Sequence, residues 1–324
     1  MNNEIILSSQ EVEVKIESGR NRMENSSALI ENPIRDGEIG FDKIYILASE
    51  IVRDGSKWTI KIDSNDPTVV LDDSKKAEYD LKNSPVVKEI RGGNGEKKLV
   101  SGGTWVWIKD NEGQEFLSLM RRDEGAPVDT GCLTGPAGRC GEKLSKTSID
   151  ETNQEFVFVM SETGEKNKLL AFFRNDEDKD EVIRQKMRQV GEIYNALMEK
   201  YEKTGDEQSK LDAEFLRDNV RDESCLNLLK MKEGSSEELD TVTMEIDGEE
   251  VDKVWGLAYM DDKNNTLEVR EVVKVELPLG SKISKVLDGE KFLRPTVLVK
   301  KEDLSALLDD RLVSALRNYI ERAK

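Results

Sequence analysis

The chain has 324 residues, with 67 acidic against 49 basic side chains, a net charge of −18, 36% apolar residues and no histidine. Its length suggests one large domain or two ordinary ones, and its apolar residues recur in periodic blocks, which excludes a disordered chain. No run approaches the roughly 18 consecutive apolar residues of a membrane span, and residues 1–10 lack the basic start and apolar stretch of a secretory signal, so the expected compartment is the cytoplasm. The acidity weighs against binding to long nucleic acid, whose phosphates it would repel.

The three cysteines, Cys132, Cys140 and Cys225, form no Cys-x-x-Cys pair. Together with the lack of histidine this argues against a structural zinc site. It also removes every Ser-His and Cys-His arrangement. Acid–base work must therefore fall to carboxylates, Lys, Tyr or metal-bound water.

Residues 1–95 read as mostly β. Val12, Val14 and Ile16 alternate with charged residues, the period of a half-buried strand. Asp54-Gly55 between 43–53 and 57–62 signals a hairpin. The stretch 91–95, Arg-Gly-Gly-Asn-Gly, reads as a turn or short linker, because it lacks the Gly-Lys-Ser/Thr ending of a P-loop. Strands are expected at 104–108 and 116–120, the second running into Arg121-Arg122. A Gly- and Pro-containing loop, 125–141, leads to a helix at about 144–156, then strands near 156–160 and 168–173.

Between 176 and 235 the pattern changes. Ile183, Met187, Val190, Tyr194, Leu197 and Tyr201 follow four-three spacing, an amphipathic helix. A second helix is expected over 211–231, giving a helical hairpin inserted between strands. Its stripe is expected to pack on its own partner helix or on the domain, with a homodimer contact as the lesser expectation. Strands resume at 241–246, 253–260 and 266–277, with turns at Asp247-Gly248 and 261–265. A helix over 302–322 ends the chain.

The chemistry concentrates between Gly135 and Glu155. Glu151 and Glu155 stand four apart on the expected helix, so both point the same way and repel unless compensated. A hard divalent cation compensates well, since magnesium takes carboxylate oxygens and keeps waters for the rest of its octahedron. Glu142, just before the helix, lies where the loop can fold back toward the same point.

This segment resembles the box of the Nudix hydrolase family, G-x5-E-x7-R-E-U-x-E-E-x-G-U with U aliphatic. Glu142 matches the first Glu, Asp150-Glu151 stands for Arg-Glu, and Gln154-Glu155 stands for Glu-Glu. The flanking strands and the lead-in 133–138 agree over about 100–175. The departures are a loop of three residues instead of five between Gly138 and Glu142, Asp150 for Arg, Thr152 for an aliphatic residue, Gln154 for Glu, and Val157 for the closing Gly.

The resemblance implies an α+β fold: a Nudix-like α/β/α sandwich with a mixed sheet in 96–324, carrying the helical-hairpin insertion, preceded by the β-rich region 1–95. It implies Glu151 and Glu155 as the main ligands of Mg2+ (or Mn2+), Glu142 as a ligand of a further ion or an aid to water activation, and the Gly138 carbonyl as completing the coordination. The implied reaction is hydrolysis of a phosphoanhydride in a nucleotide or nucleotide conjugate. Arg121, Arg122 and Arg139 are candidates to grip phosphate.

Other residues could contribute. Glu245, Asp247, Glu249, Glu250 and Asp252 could supply a base, although an exposed acidic turn is the plainer reading. Trp105, Trp107 and Trp255 could stack on a base, or pack in the core. Cys132 and Cys140 read as small buried residues. The altered box also leaves open a module of this fold that binds a nucleotide or a protein without cutting, or a scaffold working through the hairpin.

Overall fold

The computed structural model describes residues 6–7, 43–64, 69–71, 98–121, 133–140, 143–162, 167–234, 239–261, 265–288, 296–301, 303–304 and 319. The expected strand at 12–16, the turn at 91–95, most of the helix over 302–322, and Arg122, Cys132 and Glu142 lie outside them. In chain order the elements are β1 (Ile6–Leu7), β2 (Lys43–Tyr45), β3 (Leu47–Ala48), β4 (Glu50–Asp54), β5 (Lys57–Ile62), β6 (Val69–Leu71), β7 (Lys98–Lys109), β8 (Glu115–Arg121), β9 (Leu133–Thr134), β10 (Ala137–Arg139) and α1 (Leu144–Glu155). There follow β11 (Phe156–Glu162), β12 (Lys168–Phe173), α2 (Lys179–Thr204), α3 (Glu207–Asn219), β13 (Leu226–Lys230), β14 (Lys232–Glu233), β15 (Asp240–Ile246), β16 (Glu249–Asp261), β17 (Thr266–Glu276), β18 (Ser281–Asp288) and β19 (Thr296–Lys300). The described residues are thus mixed α/β, with extensive sheet and few helices.

The large sheet runs β1-β19-β8-β7-β17-β16-β15-β5-β4, with β3 and β10 added to β7, β9 to β8 and β14 to β17. It is mixed: β7 runs parallel to β17 and antiparallel to β8, and β5 runs parallel to β15. Two-residue loops join the β4–β5 and β15–β16 hairpins. Between β15 and β16, Asp247 and Gly248 take φ 52° and 87°, the double positive φ that matches the twist of the flanking strands. A second sheet, β13-β12-β11-β18, is antiparallel except where β12 and β13 run parallel.

Val106, Ile108 and Phe116 of the large sheet meet Phe156, Phe158 and Phe172 of the second sheet in one buried cluster. Phe158 lies 5.1 Å from Phe156 and meets Phe172 edge-on at 6.2 Å, contacts that add about 0.5–1.5 kcal/mol each beyond burial. Helices α2 and α3 cover the far side of the second sheet, where Val190, Ile193, Leu197 and Leu216 pack on Val157, Val159 and Leu169. The reverse face of the large sheet holds Trp105, Trp107, Leu117, Leu119 and Leu257 with Leu304 and Tyr319.

Three expectations change. The second helix stops at Asn219, and residues 226–230 form β13. The Leu-rich run was compatible with either state, and five parallel backbone pairings with β12 decide it. The strand expected over 43–53 is broken, because β3 pairs with β7 whereas β4 pairs with β5. The buried side of α2 is Val182, Lys186, Gln189, Val190, Ile193 and Leu197, about one position round from the expected stripe, and it is covered within the chain. Among the described residues no helix is long and apolar enough to cross a membrane.

Candidate functional site

The site is built where α1 crosses β7 and its short neighbour β10. In the β7–β10 ladder Gly138 pairs with Gly102, Ala137 with Gly103 and Arg139 with Ser101. Gly102 lets the helix approach closely, since a Cβ there would stand 3.2 Å from Thr147. Polar bonds then fix the helix. The Thr152 hydroxyl meets that of Thr104 at 2.7 Å and donates to the Ser148 carbonyl at 2.6 Å, and Ser148 Oγ donates to the Gly103 carbonyl at 3.2 Å.

On the β10 side of α1 two carboxylates come down onto consecutive residues. A Cβ on Gly138 would lie 1.8 Å from Glu151 Oε1 and 2.4 Å from its Cδ, so the Glu151 carboxylate fills the space that any other residue at 138 would need. One turn on, Glu155 Oε2 accepts a hydrogen bond from the Ala137 amide at 3.2 Å, with only 6% of the residue exposed. Gly138, Glu151 and Glu155 are therefore brought together. Gln154 is exposed.

The ends of α1 are satisfied from elsewhere in the chain. Lys143 at the N-cap makes no side-chain bond. Asp252, from β16, instead accepts from the Ser145 amide at 2.9 Å, which puts negative charge at the positive end of the helix. At the other end Lys186 Nζ donates to the carbonyls of Asn153 at 2.6 Å and Phe156 at 2.9 Å, and Gln189 donates to the Gln154 carbonyl. Burial pushes the Lys186 ammonium down to about 7. The Asn153 side chain bonds both the amide and the carbonyl of Phe172 at 2.8 Å, tying α1 to the second sheet.

On the β17 side of α1 lies a buried ionic group. Glu271 pairs with Arg174, whose guanidinium also reaches Glu233 at 3.3 Å. Burial pushes the Glu271 carboxyl up to about 7, against the pull of Arg174 and a Ser148 hydrogen bond. Nothing in the sequence marked Glu271: the alternation of β17 places it on the inner face beside Val269 and Val273, a position where a strand pattern predicts an apolar residue.

Other candidates make contacts of their own. By strand alternation Arg139 faces the reverse of the sheet from Gly138, and its Nη1 bonds Thr266 Oγ1 at 3.0 Å. On that face Arg270 pairs with Glu268 at 2.8 Å. Arg121 closes β8, its backbone paired with Leu133. Asp247, Glu249 and Glu250 form an exposed acidic turn, where bonds from Ser64 hold the Asp247 carboxyl below its ordinary range. Trp105 and Trp107 are core residues, Trp105 stacked 5.8 Å from Tyr319 and Trp107 Nε1 bonding Tyr319 Oη at 2.5 Å. Trp255 is half-buried, with Lys253 Nζ 5.7 Å from its ring centre. Cys140 is fully buried.

Among the described residues no three His, Cys, Asp or Glu side chains are grouped to hold a metal ion. The β10 side of α1 holds two carboxylates, Glu151 and Glu155. Their donor chemistry, carboxylate oxygen alone, suits a hard cation such as Mg2+ rather than zinc. No family model, no curated protein and no solved structure matches this chain.

Proposed function

We propose that the chain is a Nudix-like hydrolase that uses Mg2+ (or Mn2+) to cleave a phosphoanhydride in a nucleoside diphosphate linked to another moiety, working in the cytoplasm. The observation that carries this reading is the seating of the Glu151 carboxylate in the gap left by the missing side chain of Gly138, with Glu155 one turn away on the next residue of the same strand. Such close packing of a helix carboxylate on a glycine edge supports a helix that presents two acids at one point. The sheet with α1 on one side, and the second sheet covered by α2 and α3, supports a Nudix-like sandwich.

In this reading Glu151, Glu155 and Glu142 hold the metal, and Arg121 and Arg122 grip the substrate's phosphates. Arg139, turned to Thr266 on the reverse face, serves the sheet instead. When bound, the cation supplies charge to polarise the phosphoanhydride and lowers the pKa of attacking water. Glu151 and Glu155 fix its position, and Thr152, Ser148 and Asp252 keep the helix from shifting under the repulsion of its two acids.

A second reading, a module that binds a nucleotide or protein without cutting, draws support from Glu155, which is 6% exposed and already satisfied by the Ala137 amide. Chromatography of a panel of nucleotide conjugates incubated with protein and Mg2+ or Mn2+ separates the two. Cleavage that vanishes in the Glu151→Gln, Glu155→Gln double variant supports the hydrolase. An inert wild type across the panel with both ions sinks it.

A further inference from the structure

The C-terminal end of α1 has no room for an ordinary cap. The helix passes directly into β11 at Phe156, so its last carbonyls point into a region where Phe156, Val157 and Phe158 are fully buried. Carbonyls left unbonded there would each cost about 1–3 kcal/mol. The chain meets this from the inserted hairpin. Lys186, 1% exposed, extends its ammonium to the carbonyls of Asn153 and Phe156, the residues flanking the pair Gln154-Glu155. Gln189, one turn further along α2, takes the Gln154 carbonyl between them.

A lysine on an amphipathic helix ordinarily carries its charge out to water. Burying an ammonium is costly unless it is bonded to compensate, and of the other buried residues of α2 only Gln189 is polar, while Val182, Val190 and Ile193 are met by apolar side chains. A cation at this one place is therefore matched to what it touches: the negative end of α1.

From this arrangement we infer that the helical hairpin is a clamp on the box helix, with Lys186 as a positioning residue that holds the Glu155 carboxylate on the Ala137 amide. The clamp grips the backbone immediately before and after Glu155, so its release lets the last turn of α1 move and Glu155 leave its bond. As an inference about the proposed hydrolase it rests on that reading, but its physical content, the link from Lys186 to the Ala137 amide, does not require metal or turnover.

The test is amide hydrogen exchange of the full chain, wild type against Lys186→Met, with the β17 amides of Val269 and Val273 as internal reference. The expected result is exchange at Ala137 about tenfold faster in the variant, as for loss of a local hydrogen bond, with the β17 amides unchanged. Unchanged protection at Ala137 in the folded variant, or equal acceleration at Ala137 and β17, overturns the clamp. If Lys186→Met does not fold, Gln189→Leu, which removes only the Gln154 bond, carries the same comparison. Faster Ala137 exchange in a protein whose wild type cleaves nothing retains the clamp and removes only the hydrolase reading.

Discussion

Glu151 and Gly138 occupy a single site between them: the carboxylate of one lies where the Cβ of the other would have to be, 1.8 Å from Oε1. The identity of residue 138 and the position of the acid are thus one constraint.

Gly138→Ala is expected to displace the Glu151 carboxylate and to cost at most about 1 kcal/mol, because the group it meets is the movable end of a half-exposed side chain. Adding Glu151→Ala makes room for the new methyl group, so the double variant should regain much of the stability lost in the single one. Urea unfolding of the two single variants and the double variant measures the coupling. Strictly additive losses would mean that the two residues do not share this space.

Two buried groups set opposite pH dependences. The folded-state pKa of Glu271 is raised from 4.5 to about 7, so its contribution to stability is fully present below about 4.5 and is lost as pH rises through 7. The folded-state pKa of Lys186 is lowered from 10.5 to about 7, so the folded state sheds a proton the unfolded chain keeps, and stability rises with pH between about 7 and 10.5. Each slope is at most about 1.4 kcal/mol per pH unit. Together they place a minimum near neutrality in this part of the stability profile. Denaturant midpoints across pH should lose the falling limb in Glu271→Gln and the rising limb in Lys186→Met.

Asp252 was a candidate base and is found capping α1. Asp252→Ala should cost about 1 kcal/mol, as for loss of an N-cap. Asp252→Asn, which keeps an acceptor for the Ser145 amide, should recover most of that and should leave the pH profile of turnover in place. A thermal melt and a pH–rate profile check this. A variant of full stability whose rate no longer depends on pH would return Asp252 to the reacting groups.

Much of the site's frame was legible locally. The helix at 144–155, the hairpin turns at Asp54-Gly55 and Asp247-Gly248, and the strands around Trp105 and Leu117 follow from period and turn chemistry. The spacing of four on the helix also places Glu151 and Glu155 on the β10 side of α1, at Gly138 and Ala137. What was not legible depends on partners far away in the chain. Residues 226–230 became a strand because β12 lies beside them. Lys186 lies outside the four-three stripe of its helix, and only the end of α1 beside it gives it a role. Arg139 sits next to Gly138 in sequence, yet strand alternation sends it to the other face.

The central claim, that Glu151 and Glu155 hold a divalent cation, is tested most directly by titrating the protein with Mn2+ and following the free-ion EPR signal. A chain with net charge −18 attracts Mn2+ diffusely, so the comparison that decides is with the Glu151→Gln, Glu155→Gln variant at physiological ionic strength, where such diffuse binding is screened. Saturable binding by the wild type that the variant lacks is the expected result. Binding that is the same in both proteins, or no saturable binding in the wild type, would contradict it.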